Sequence, residues 1–154
     1  MVIRSSLSFS IGSQDRIGII GANGKGKSTL INCLAGELVY SSGSIAKHPS
    51  TRIGHFGQTN IDRLDAQNRV IDEILRENPS LSLQAAHSIC GAMMFDGDLS
   101  KKKVSVLSGG ERSRVLLGKI ISNPTNILLL DEPTHHLDVE SIESLIEELN
   151  DYAG

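Results

Sequence analysis

The chain has two cysteines in 154 residues, no apolar run of membrane-spanning length and no surplus of positive charge. Each shortage removes a class of function. Cys33 and Cys90 stand far apart without a CxxC spacing, which suggests neither a zinc site nor a disulfide framework. With apolar neighbours (Ile31 and Leu34; Ile89 and Met93) both are expected to be buried thiols in a reducing compartment. His48, His55 and His87 have no ligand spacing and are expected to be surface or core residues. No stretch approaches the roughly 20 apolar residues of a membrane helix, and the opening MVIRSSLSFS lacks the apolar run of a secretory signal. The expected location is therefore cytoplasmic. A formal charge of -3 gives no global basic field for DNA or an anionic membrane.

What remains is an ordinary globular composition: 39% apolar, 21% charged, 15 glycines and only 4 prolines, with enough length for one domain and its core. Leu7, Phe9 and Ile11 alternate with serines, predicting a strand with one buried face, and residues 16–20 read as a short buried strand. Glycines then interrupt the pattern before a helix of about ten residues from Lys27, stopped by Gly36. Short strands are expected around Ile45 and at residues 53–56. Val70, Ile71, Ile74 and Leu75 have helical spacing that Asn78-Pro79 ends. Ser82 can cap a second helix with Leu83, Ala86, Ile89, Cys90 and Met93 on its apolar face. The run 101–103 reads as a solvated loop. A third helix follows Gly109-Gly110 and stops at Asn123-Pro124. Ile127–Leu130 is an unbroken apolar strand, and Ile142, Leu145, Ile146 and Leu149 form the stripe of a last helix. Strands and helices alternate at both ends around a helical insert, which predicts an α/β sheet.

Gly21-Ala22-Asn23-Gly24-Lys25-Gly26-Lys27-Ser28 fits G-x-x-x-x-G-K-[ST] between a predicted strand and a predicted helix. Glycines let the backbone curl so that successive N–H groups face phosphate oxygens, and the helix that follows adds its positive end. Lys27 can reach the β- and γ-phosphates of a nucleotide, and the Ser28 hydroxyl can ligate Mg²⁺. Gly21, Asn23, Gly24, Gly26 and Thr29 complete the candidate phosphate site; Lys25 either touches phosphate or faces solvent. The strand 127–130 delivers Asp131 and Glu132 at its C-terminal edge, where ligands of open α/β sheets gather. Asp131 can hold Mg²⁺ through water, and Glu132 can polarise a water that attacks the γ-phosphate.

The resemblance to ATP-binding cassettes rests on further motifs. Leu107-Ser108-Gly109-Gly110-Glu111 resembles the ABC signature, and Asp131-Glu132-Pro133-Thr134 resembles the segment that follows it in ABC ATPases. Gln58, in His55-Phe56-Gly57-Gln58, falls where that family has its Q-loop glutamine, a Mg²⁺ and water contact. Leu137-Asp138 matches the end of the D-loop. The resemblance implies a P-loop NTPase fold with a mainly parallel sheet flanked by helices and a small helical subdomain. It also implies ATP and Mg²⁺ as cofactors and hydrolysis to ADP and phosphate. Ser108, Gly109, Gly110 and Glu111 would meet the γ-phosphate held by a second cassette, so one cassette cannot complete its own site.

Asp131-Glu132-Pro133-Thr134-His135-His136-Leu137-Asp138 is one substitution from D-E-P-T-N-H-L-D, the form typical of ABC-F proteins. Those are twin-cassette ATPases without membrane domains, many of which act on the ribosome. The compact insert resembles their second cassette more than their first. On this reading residues 1–154 form one partial ABC domain: 1–57 and 123–154 are its α/β core, and 58–122 hold the Q-loop, helical subdomain and signature helix. The resemblance further implies a domain incomplete at both ends, lacking the adenine-stacking aromatic before the first strand and the strand with the switch histidine. Two alternatives stand beside it: the ATP-binding subunit of a membrane transporter, and a non-catalytic nucleotide-binding fragment.

Overall fold

The computed structural model describes residues 7–134 and, beyond them, 139, 142, 143, 146 and 149. In chain order the described residues form helix α1 (Lys27–Ala35), strand β1 (Ile53–Phe56), helix α2 (Gln58–Ile61), helices α3 (Val70–Glu77), α4 (Leu83–Ala92) and α5 (Gly109–Ser122), and strand β2 (Ile127–Leu130). Two 3₁₀ turns, Gly97–Lys101 and Val104–Val106, join α4 to α5. β1 and β2 pair in parallel, with Ile53 opposite Ile127 and Phe56 opposite Leu130. The crossover between them is the helical unit, as parallel pairing requires.

Local chemistry explains the element ends. Gly36 takes φ 86° and donates to the carbonyls of Asn32 and Cys33, closing α1 where a side chain would be strained. Ser82 accepts from the Ala85 amide to start α4, and Pro79 follows the end of α3 as expected. The core lies mainly in the helical unit. Val70, Ile74, Ala86, Cys90, Met93, Phe95 and Val115 are almost wholly buried, and Phe56 joins them from β1. A Cβ at Gly54 would lie 2.7 Å from Ile120 Cγ2, so the missing side chain is what lets α5 lie against β1. Burial pushes the Cys90 thiol up to about 11, an inert core residue as expected; Cys33, expected in the core as well, is only half-buried.

Several expectations fail here. Residues 7–11 and 16–20 form no strand, nor does the segment around Ile45. Leu7, Phe9 and Ile11 are exposed, and Ile20 is 98% exposed. A strand exists only through its ladder partner, and among the described residues none stands beside these segments. Alternation declares which face wants burial without supplying what buries it. Leu83 is likewise exposed at the first turn of α4. In the last helix, residues 139, 142, 143, 146 and 149 are helical and Leu149 packs against the core; Leu145 falls outside the described residues.

One buried charge binds the helical unit together. Glu73 on α3 is fully buried and takes Lys119 Nζ of α5 at 2.8 Å, Asn68 Nδ2 at 2.7 Å and the Asp65 amide at 3.4 Å. Burial alone would raise its pKa, but the Lys119 and Asn68 hydrogen bonds and the lysine charge outweigh it and hold the carboxyl below the ordinary 4.5. Removing the lysine leaves the buried carboxylate with only the more distant Arg76, at 3.6 Å, as a counter-charge. Lys119→Ala should therefore lower unfolding free energy by about 3–5 kcal/mol, read from the urea midpoint. An unchanged midpoint would remove the pair from the account. A carboxylate depressed in the folded state stabilises fully above its unfolded pKa and loses that contribution as pH falls through the folded value. The thermal midpoint should stay level from neutral pH to about 5 and fall below it, with part of that fall missing in Glu73→Gln.

Candidate functional site

The site is assembled at the C-terminal edge of the two strands. α1 begins directly from the glycine loop, with Gly26 at its N-cap in the left-handed region (φ 96°, ψ 16°) and Gly24 also at φ 75°. No side chain caps α1, and its first turn has no acidic residue. Its leading amides and positive dipole end are thus left for an anion. Nothing lies within 4 Å of where a Cβ of Gly21 or Gly24 would stand, so the loop has open space around its backbone. Lys27 folds back over this loop, donating from Nζ to the carbonyls of Gly21 at 2.8 Å and Ala22 at 3.3 Å and to Asn23 Oδ1 at 3.5 Å. Lys25 is exposed, its amide bonded to the Ala22 carbonyl at 3.3 Å. Thr29 lies in the first turn of α1.

Ser28 and Asp131 are 103 positions apart, yet the Ser28 hydroxyl donates to Asp131 Oδ1 at 3.1 Å. Register explains the placement. Phe56 and Leu130 are opposite each other, and the Asp131 amide donates to the Phe56 carbonyl at 2.8 Å, extending the ladder by one bond. Asp131 therefore leaves the sheet beside Gly57, whose Cβ position would be 3.6 Å from Asp131 Cβ, and Gln58 follows at once as the first residue of α2. Two hard oxygen donors within hydrogen-bond reach suit Mg²⁺, a cation that takes oxygen ligands. Glu132 is exposed and has φ 50°, a left-handed conformation that costs a non-glycine residue about 1–3 kcal/mol and recurs at active sites.

The signature segment starts α5 in a different way. Ser108 Oγ accepts from the Glu111 amide at 3.2 Å while Glu111 Oε2 accepts from the Ser108 amide at 2.8 Å, a reciprocal capping box. The bond from the Ser108 backbone, ahead of the burial that opposes it, holds the Glu111 carboxyl below 4.5, and Lys102 adds its charge at 3.7 Å. Gly109, the first residue of α5, has open space where a Cβ would stand. Asp138, His135, His136 and Leu137 lie outside the described residues.

Sequence reasoning missed a second set of polar residues. Glu37 Oε1 is 2.8 Å from His55 Nδ1, and Glu37 Oε2 is 3.0 Å from Arg63 Nη1. A histidine inside the four-residue apolar strand IGHF was the available signal. Glu73 gave a similar one, a carboxylate one turn after Val70 and next to Ile74 on the buried side of α3.

With this geometry in hand, comparison with known proteins is decisive. A family model described as "ABC transporter" matches residues 5–135. The chain belongs to the ABC transporter family. Within it the cassette is of the ABC-F type. YheS of Haemophilus influenzae is 38% identical over 99% of this chain and 24% of its own length. A homologue of ATP-binding cassette sub-family F member 3 from Encephalitozoon cuniculi is also 38% identical, over 99% of this chain and 26% of its own length. The chain thus spans about a quarter of the length of the curated relatives it matches. Among solved structures, the archaeal ribosome recycling factor aABCE1, determined in complex with the ribosomal stalk protein aP1, superposes with a TM-score of 0.67. It is 30% identical, over 84% of this chain and 24% of that one. ATP hydrolysis is a property of this family, and no described helix is long and apolar enough to cross a membrane.

The capping box of this cassette has a measurable cost of removal. Ser108→Ala should lower stability by about 1 kcal/mol, seen as a shifted denaturant midpoint with unchanged slope; a shift within error would mean that the box contributes nothing to α5.

Proposed function

We propose that this cassette binds ATP with Mg²⁺ and hydrolyses it to ADP and phosphate when a second cassette closes over it. The observation that carries the reading is the Ser28–Asp131 hydrogen bond, which joins the phosphate loop to the acidic end of β2. When ATP binds, Lys27 exchanges the Gly21 and Ala22 carbonyls for phosphate oxygens, a charge-assisted contact in place of neutral ones. The glycine-loop amides of residues 21–26, with the Ser28 and Thr29 end of α1, hold the remaining phosphate charge. Ser28, Asp131 and Gln58 are the residues that would hold Mg²⁺, which neutralises charge on the phosphates. Glu132 orients and polarises the attacking water. Ser108, Gly109, Gly110 and Glu111 serve the opposite cassette, with the Ser108 hydroxyl donating to the γ-phosphate there; Asp138 belongs to the D-loop beside that interface.

In this reading residues 1–57 and 123–154 are the α/β core and 58–122 the Q-loop, helical subdomain and signature helix. ABC-F relatives and the structural likeness to a ribosome recycling factor support coupling of closure to the ribosome; the same reading places the protein in the cytoplasm, without direct DNA contact.

Mutation of the intact protein tests the assignment. Lys27→Ala should weaken ATP binding by about tenfold or more, the loss of one charge-assisted contact. Glu132→Gln should keep ATP binding while slowing turnover by about 10²–10⁴-fold. Both are read by nucleotide titration and phosphate release. Full turnover by the glutamine variant would take Glu132 out of its role.

A further inference from the structure

Glu37 follows α1 by two residues, at the end of the helix remote from the phosphate loop. Nine residues of helix put it about 13 Å from Ser28 along the axis, so it is not placed to touch a nucleotide phosphate. It reaches instead to the strand that leads into Gln58. His55 Nδ1 lies 2.8 Å from one carboxylate oxygen and Arg63 Nη1 3.0 Å from the other. Asn60 Nδ2 donates to the His55 carbonyl at 2.8 Å, and Arg63 Nη1 donates to Asn60 Oδ1 at 3.2 Å. One carboxylate thus gathers the segment after α1, the strand β1, and the chain on both sides of α2. Burial would push the Glu37 carboxyl up, but the His55 hydrogen bond and charge, with Asn60 and Arg63, hold it below 4.5. It is ionised at neutral pH, so Nδ1–H of His55 donates to it.

The histidine is not there for packing alone. Its side chain is 6% exposed, and among the described residues no hydrogen-bond partner stands at its buried Nε2. A buried polar atom left unpaired is unfavourable, and an apolar residue would avoid it. The ring also sits against the exit from the strand: a Cβ at Gly57 would lie 3.2 Å from His55 Nε2 and 3.6 Å from Asp131 Cβ. The imidazole therefore bridges Glu37 on one side and, on the other, the backbone turn that runs from β1 into Gln58 beside Asp131.

We propose that Glu37, through His55 and Arg63, is a positioning residue that fixes the backbone on either side of Gln58, setting where that glutamine stands relative to Ser28 and Asp131. The proposal rests on the reading of those residues as an ATP–Mg²⁺ site. It ties the far end of α1 to the strand exit that leads into Gln58. Neither Glu37 nor Arg63 contacts the nucleotide. Their loss is accordingly felt in turnover and Mg²⁺ demand, with little effect on ATP affinity.

The test is steady-state ATP hydrolysis by the intact protein carrying Glu37→Ala, Arg63→Ala, Glu37→Gln or, as reference, Gln58→Ala, at varied ATP and Mg²⁺. The Arg63 side chain is 64% exposed, so its truncation leaves the fold in place. Glu37→Ala and Arg63→Ala should lower kcat and raise the Mg²⁺ concentration for half-activity by about tenfold, the scale for outer-sphere partners of a metal site. KM for ATP should move less than about twofold, and Glu37→Gln, which keeps an acceptor for His55 Nδ1–H, should recover at least about half of kcat. Unchanged kcat and Mg²⁺ demand in Arg63→Ala, while Gln58→Ala slows the protein, overturns this inference and leaves the ATP reading standing. A common loss of kcat, KM and thermal midpoint in all variants, not recovered by glutamine, marks the cluster as structural and also overturns it. No hydrolysis by the unsubstituted protein overturns both.

Discussion

Parallel pairing of β1 with β2 sets where Asp131 and Gln58 leave the sheet. The register puts Phe56 opposite Leu130, and one further bond from the Asp131 amide to the Phe56 carbonyl carries the ladder to the edge of the sheet. From that edge Asp131 meets Ser28, while the other strand hands the chain directly to Gln58. A slip by one residue would turn every side chain of β2 to the other face and take Asp131 away from Ser28. The close approach at Gly54 keeps α5 against this sheet, and the buried Glu73–Lys119 pair ties α3 to α5. Packing and chemistry thus share one constraint.

The two helix starts in the site are chemically opposite, and their difference matches the roles proposed for them. α1 has a left-handed glycine at its N-cap and no carboxylate in its first turn, so its amides and dipole are available to phosphate. α5 satisfies its own start through the Ser108–Glu111 box and places an ionised carboxylate there. A helix end already balanced by its own carboxylate holds a phosphate weakly by itself. That suits a segment that completes a site held chiefly by another cassette, and it fits the arrangement in which neither cassette has a full set of contacts.

Much of this was legible in the sequence because the deciding patterns are local. The glycine loop, Gly36, Ser82, Asn78-Pro79 and the run Ile127–Leu130 each announce a conformation through chemistry within a few residues, and their elements stand where expected. The errors came where the outcome depends on a distant partner. Alternation at Leu7, Phe9 and Ile11 specified a face but no neighbour, and those residues are exposed. His55 and Glu73 carry no local sign of their partners, Glu37 and Lys119, which lie 18 and 46 positions away. The 3₁₀ turns before α5 went unread since tight turns of three to five residues leave no periodic trace.

The central claim is that Ser28 and Asp131 act together on one Mg²⁺ at the nucleotide. A double-mutant cycle on the intact protein with Ser28→Ala and Asp131→Asn, reading ATP affinity with and without Mg²⁺, tests it most directly. The account predicts that each single change weakens Mg²⁺-dependent binding, that the pair together does little more than either alone, and that binding without Mg²⁺ is unchanged. Fully additive losses, or equal losses in the absence of Mg²⁺, would contradict it.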